Sequence, residues 1–142
     1  PTPPPPCNCL GRASIQGVLA RAEWVREDLE TQGHLRALLG PASREGSGER
    51  PRCRRYSLRI TGHSLGGSTG VLLAYMLRRD YPSVRCISIS PLGGLLNSPH
   101  AEDCGEFVLS AALGDDVVPR LSVAGMERMR DDVLGLIART KV

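Results

Sequence analysis

Tyr56-Ser57-Leu58-Arg59-Ile60-Thr61-Gly62-His63-Ser64-Leu65-Gly66 decides the fold. Tyr56, Leu58 and Ile60 alternate with Ser57, Arg59 and Thr61, which predicts a strand. Val71-Leu72-Leu73-Ala74-Tyr75-Met76-Leu77 predicts a strongly apolar helix that closes at Arg78-Arg79-Asp80, before Pro82. Between the two lies Gly62-His63-Ser64-Leu65-Gly66, the pattern G-x-S-x-G. A serine on a tight, strained turn from strand to helix is presented at the sheet edge, and small residues on either side let the two backbones pass closely. Its place at the helix start aims backbone N–H groups and the positive end of the helix dipole at a developing oxyanion. Ser64 is therefore the candidate nucleophile, Leu65 N–H the candidate oxyanion donor, and Gly62, His63 and Gly66 the residues that shape the elbow. The same five residues also read as an ordinary Gly-rich turn. A strand running directly in and a helix running directly out favour the elbow.

Outward from this point the pattern repeats. Val84 to Ser90 predicts a second strand, ended by Pro91 and Gly93-Gly94, and Phe107 to Leu113 a third, ended by Gly114-Asp115-Asp116. Ser122 reads as an N-cap, with Val123, Met126, Met129, Val133 and Ile137 tracing one face of a closing helix. Upstream, Ile15, Val18, Leu19, Ala22, Val25 and Leu29 recur at helical steps among charged residues, and Leu35, Leu38 and Leu39 continue or restart that helix before Gly40-Pro41. The segment 42–52 reads as a surface loop, and Pro1-Thr2-Pro3-Pro4-Pro5-Pro6 as a polyproline-like tail. Strand, helix, strand, short helix, strand, helix implies an α/β fold with parallel pairing and right-handed crossovers.

Composition narrows the function classes. At 142 residues and 41% apolar, the chain can bury a single core. No apolar run approaches the ~20 residues that cross a bilayer, and no secretion signal is visible. A net charge of +3 with scattered basic residues, and 4% aromatics, argue against nucleic acid as a partner. The five cysteines, at 7, 9, 53, 86 and 104, read as reduced thiols with Cys86 buried in a strand. Cys7-Asn8-Cys9 has the wrong spacing for a zinc or redox pair, so no metal site is expected.

A nucleophilic serine needs a base, and the base an orienting carboxylate, in the order Ser, Asp or Glu, His. Asp116 and Asp115 both lie just beyond the third strand, at the carboxyl edge where Ser64 sits. Adjacent residues leaving a strand point to opposite sides, so only one can face the cleft. The three histidines, His34, His63 and His100, all precede them. His63 adjoins the nucleophile and is expected to point away from it. His34 lies near a helix break. His100, expected in a loop after Ser98-Pro99, reaches a cleft only by an unusual route.

Ile60-Thr61-Gly62-His63-Ser64-Leu65-Gly66-Gly67, Tyr81-Pro82-Ser83-Val84-Arg85-Cys86 and Ser90-Pro91-Leu92-Gly93-Gly94-Leu95-Leu96 together resemble the sn-1-specific diacylglycerol lipases, members of the class 3 (fungal-type) lipases of the α/β-hydrolase fold. Leu113-Gly114-Asp115-Asp116-Val117-Val118-Pro119-Arg120-Leu121 is similar to the segment carrying their catalytic aspartate, and that register selects Asp116. The resemblance implies a partial α/β-hydrolase fold of about three parallel strands with flanking helices. It implies the central part of a lipase domain over 15–142, while the Pro-rich residues 1–14, unlike the family, are expected to be a disordered tail. In the family an Arg-Gly-Thr-like segment upstream gives the second oxyanion donor, and the triad histidine follows the closing helix. Neither is expected within these residues.

The resulting expectation is a diacylglycerol lipase-type serine ester hydrolase of lipid degradation. Ser64 is its nucleophile, Asp116 its triad acid and Leu65 an oxyanion donor, with no cofactor. The substrate is an acylglycerol or other lipid ester. By family the protein is membrane-associated or cytoplasmic, with membrane-surface contact made through other parts of a full-length protein. Two rivals stand beside it: an inactive pseudoenzyme or binding domain that keeps the elbow as architecture, and a truncated gene product whose open strand edges aggregate.

Overall fold

A computed structural model describes residues 14–40, 53, 55–121 and 123–140. The Pro-rich start with Cys7 and Cys9, the segment 42–52 and the N-cap expected at Ser122 lie outside the described residues. The elements run α1 (Ser14–Thr31), α2 (His34–Leu39), β1 (Arg59–His63), α3 (Leu65–Leu77), β2 (Arg85–Ile89), α4 (Ser98–Cys104), β3 (Val108–Ala111), a single 3-10 turn (Val118–Arg120) and α5 (Val123–Thr140).

The three strands form one parallel sheet in the order β1-β2-β3. Ile60 pairs with Cys86 and Cys86 with Val108, so the three strands stay level, and their carboxyl ends, His63, Ile89 and Ala111, lie side by side. That edge carries everything of functional interest.

The core sits on one face of this sheet. Helix α3 lies between the sheet and α1, which is why Val71, Leu72, Leu73, Ala74 and Leu77 are all buried. A helix with apolar residues all round is one that is enclosed. Val18 and Ala22 of α1 are buried against the core, with Leu19, Val25 and Leu29 packed at its margin, as the helical spacing predicts. Each fully buried Leu or Val adds about 1.5–3 kcal/mol. From the sheet, Ile60, Cys86 and Val108 point into this layer, and Ser88 sits fully buried beside them.

The opposite face is exposed among the described residues. Ile87 and Ile89 of β2 and Leu109 of β3 alternate with the inward set and face solvent. Met126, Met129, Val133 and Ile137 do form one stripe of α5, and that stripe is also exposed.

Several boundaries differ from the sequence reading, each for a physical reason. The upstream helix restarts rather than continues, because Gly33 takes φ 67 and breaks the ladder between α1 and α2. Tyr56 precedes β1 and is exposed, since pairing with β2 begins only at Arg59. Val84 and Phe107 are buried just before β2 and β3, and Leu113 lies beyond β3, almost fully exposed. His100 belongs to a helix, not a loop: the Asn97 side chain caps α4 by accepting from the His100 amide, and Pro99 sits in the first turn.

Candidate active site

The chain leaves β1 at His63 and enters α3 at Leu65, so Ser64 alone makes the turn. Its backbone takes φ 52 and ψ −121, a region that costs a side-chain-bearing residue on the order of 1–3 kcal/mol. The turn is fastened to the next strand by the Ser64 amide, which donates to the Ile89 carbonyl at 2.9 Å. From the other side, Ser68 grips the Ser64 carbonyl twice, through its amide at 3.0 Å and its hydroxyl at 3.2 Å. Serine at a helix start usually spends its hydroxyl as a cap. Ser64 makes no such bond, so this half-buried hydroxyl does not serve the helix.

Two glycines make so sharp a turn possible, the expected Gly62 and, beside Gly66, Gly67. A Cβ on Gly62 would lie 2.5 Å from the Gly66 carbonyl carbon and oxygen, and one on Gly67 2.6 Å from the Ser88 hydroxyl and 3.0 Å from the Gly62 oxygen. A Cβ on Gly66 would meet nothing within 4 Å. The rotation of α3 turns Gly67, not Gly66, toward the strand.

Beyond β3, a turn built on Gly114 (φ 51) reverses the chain, with the Asp116 amide donating to the Leu113 carbonyl at 3.1 Å. The two aspartates then part company. Asp115 is fully exposed and lies 3.4 Å from Arg120, a surface pair that contributes little. Asp116 is half-buried, and its Oδ1 accepts the Val118 amide at 3.0 Å. Its carboxyl is held below the ordinary aspartate range, first by the Ser90 hydroxyl, then by the Val118 amide, with the charges of His63 and Arg120 adding and partial desolvation opposing. His63, exposed at the end of β1, thus lies near the Asp116 carboxylate.

The other histidines are elsewhere. His34 opens α2 and is exposed. The His100 ring lies tilted against Tyr75, with centroids 5.8 Å apart, and the Tyr75 ring lies 6.4 Å from that of Phe107, the residue that precedes β3. That cluster belongs to the amino edge of the sheet, opposite Ser64, so His100 has no route to the serine. Cys53, Cys86 and Cys104 are free thiols, and burial pushes Cys86 and Cys104 up to about 11, which keeps both protonated at neutral pH.

Sequence reasoning missed Ser90, Ser68 and Gly67. The sequence signal for the last was present, as the second glycine of Gly66-Gly67. What involves the two serines comes from segments far away in the chain: the Leu92 amide donates to Ser68, and Ser90 helps to lower the Asp116 carboxyl.

Comparisons with known proteins bear on the family and the fold. A family profile described as "Lipase (class 3)" matches residues 15–126. Human diacylglycerol lipase-alpha is 34% identical over 125 residues, covering 88% of this chain and 11% of that protein. Mouse diacylglycerol lipase-beta is 48% identical over 83 residues, covering 58% of this chain and 12% of that protein. The chain therefore spans about a tenth of the length of the curated relatives it matches. Among solved structures, a lipase from Rhizopus microsporus var. chinensis superposes with a TM-score of 0.55 at 18% identity, over 78% of this chain and 36% of that one, a likeness of fold. Three parallel strands with flanking helices are thus part of an α/β-hydrolase fold. The chain belongs to the class 3 lipase family.

Proposed function

We propose that these residues form the central part of the lipase domain of a serine ester hydrolase acting on acylglycerols, with diacylglycerol as the favoured class. The observation that carries the reading is Ser64, held at φ 52 on a one-residue turn with its hydroxyl unused as a cap. Family membership and relatives named as diacylglycerol lipases support the substrate class.

In this reading the Ser64 hydroxyl attacks the ester carbonyl carbon and gives its proton to an imidazole. Charge gathers on the carbonyl oxygen, where the Leu65 N–H meets it at the start of α3. The alcohol leaves with the proton, and water then releases the acyl group from Ser64. Asp116 holds the imidazole in the required tautomer and stabilises its cationic form. That histidine is contributed from outside residues 1–142, because His34 and His100 stand away from the carboxyl edge and His63 is fixed beside the nucleophile on β1. This chemistry calls for no cofactor. Contact with a membrane surface, where such a substrate resides, falls to parts outside these residues; among the described residues no helix is long and apolar enough to cross a membrane.

The test is ester turnover. Residues 1–142 alone are expected to run far below the ~10 s⁻¹ of an ordinary enzyme. With the histidine-bearing remainder present, hydrolysis of diacylglycerol should appear and vanish in Ser64→Ala. Full turnover in Ser64→Ala would refute the assignment.

A further inference from the structure

Ser68 is a fully buried polar residue on the packed face of α3, among Gly67, Gly70, Val71 and Leu72. A serine inside a helix ordinarily turns its hydroxyl back onto the carbonyl four residues before, a bond of local meaning. Thr69 beside it does this, donating to the Leu65 carbonyl at 2.8 Å. Ser68 does the same, donating to the Ser64 carbonyl at 3.2 Å. Its oxygen has a second use, because the Leu92 amide, from beyond β2, donates to it at 2.8 Å. A hydroxyl has one proton and two lone pairs. With Leu92 as donor, the proton is left for the Ser64 carbonyl, and one oxygen joins two segments.

The second of these, Pro91-Leu92-Gly93, carries the Asp116 turn. The Gly93 amide donates to the Val118 carbonyl at 3.3 Å, and a Cβ on Gly93 would collide with the Pro119 and Leu121 carbonyl oxygens. Val118 in turn donates its amide to Asp116 Oδ1 at 3.0 Å. A continuous path therefore runs from the Ser64 carbonyl through the Ser68 hydroxyl, the Leu92 and Gly93 backbone and Val118 to the Asp116 carboxylate.

The bonds at the two ends of this path are local to their turns. The Ser64 amide rests on the Ile89 carbonyl, and the Val118 amide holds the carboxylate within its own loop. The sheet brings both turns to one edge, but Asp116 lies beyond the end of β3 at Ala111, on backbone that the ladder no longer holds. Over that stretch the path through Ser68 relates the carboxylate to the serine.

We infer that Ser68 is a positioning residue, whose hydroxyl holds the segment 91–93, and with it the Asp116 turn, at a fixed place relative to the Ser64 turn. The consequence for catalysis rests on the reading of Ser64 and Asp116 as nucleophile and triad acid. The placement of the two turns does not.

Three variants test this in protein that includes the triad histidine. Ser68→Ala removes the hydroxyl, Ser68→Cys leaves a weak donor and acceptor of similar shape, and Thr69→Val removes only the neighbouring helical bond. Amide hydrogen exchange followed by NMR reads each bond of the path. In Ser68→Ala the Leu92 and Gly93 amides should exchange roughly tenfold faster, the scale of one lost hydrogen bond, while the Ser64 and Val118 amides keep their protection. Ser68→Cys should fall between serine and alanine, and it carries the comparison if alanine costs the fold. Thr69→Val should match the unaltered protein. On diacylglycerol, Ser68→Ala should lower kcat per folded molecule by roughly ten- to a hundredfold, as a misplaced reacting group does, with KM little changed. Leu92 and Gly93 amides that keep their protection, an equal loss at all four amides, or the same pattern in Thr69→Val overturns the inference, whatever the activity. An unchanged kcat in a hydrolysing protein whose Leu92 amide has been freed also overturns it. The selective loss in a protein that hydrolyses nothing supports the placement and contradicts the proposed reaction instead.

Discussion

The amide of Ser64 donates to the carbonyl of Ile89 at 2.9 Å, so the turn that ends β1 hangs on the last residue of β2. This bond continues the β1–β2 ladder one step past His63 and ties the candidate nucleophile to a neighbouring strand rather than to a loop. Rigid elements hold reacting groups more closely than loops do.

The close approach of β1 and α3 separates the glycines of the elbow. Gly62→Ala and Gly67→Ala should each destabilise by about 2 kcal/mol or more, since a Cβ at 2.5–2.6 Å forces backbone or a buried hydroxyl to move. Gly66→Ala should be neutral or stabilising by up to ~1 kcal/mol, from helix propensity in open space. Urea midpoints of the three variants check this, and a Gly66→Ala variant as damaged as the others would contradict the assigned rotation of α3.

Ser88 is fully buried, and its hydroxyl has no hydrogen-bond partner among the described residues. An unsatisfied buried hydroxyl costs about 1–3 kcal/mol. Ser88→Ala should therefore stabilise by about 1 kcal/mol and raise Tm by roughly 3 °C. Calorimetry showing a clear loss would mean that the hydroxyl has a partner.

How far the sequence alone reaches is visible in these residues. The alternation around Ile60 and Ile87 and the apolar helix between them encode the parallel sheet locally, so the parallel pairing and the strand-to-helix turn at Ser64 were legible. The proposal of Asp116 rather than Asp115 as the acid rests on the resemblance around Val117-Val118-Pro119-Arg120. What escaped was set by distant parts of the chain. The left-handed backbone at Ser90 carries no glycine to announce it. The helix holding His100 did have a local signal, Asn97 as N-cap with Pro99 in the first turn, which the Ser-Pro pair obscured as a loop.

Acid should act on the fold through Asp116. Its folded pKa is depressed, so the stability it contributes is complete above the unfolded value, near 4, and is lost as pH falls through the folded one. Asp116→Asn should flatten that acid limb in denaturation measured from pH 5 downward, and Asp115→Asn should leave it as it is. An equal change in both would show that Asp116 has no special partners.

At the alkaline end the two buried thiols work in the opposite direction. Cys86 and Cys104 are raised to about 11 by burial, so the unfolded chain ionises them first. Their contribution is full below the unfolded pKa, near 8.5, and falls away as pH rises toward 11. At pH 8 an alkylating reagent should modify half-buried Cys53 well before either; rapid labelling of Cys86 in the folded protein would contradict the packing of β2 against α3.

The most direct test of the account is the covalent intermediate. Protein that includes the triad histidine is mixed with diacylglycerol, quenched in acid within the first turnovers, digested and analysed by mass spectrometry. The account predicts one acyl adduct, on the peptide containing Ser64, absent in Ser64→Ala. Asp116→Asn should form it about 10⁴-fold more slowly, the loss expected when the imidazole is left in the wrong tautomer. An acyl group found on any other residue, or hydrolysis that persists undiminished in Ser64→Ala, would contradict it.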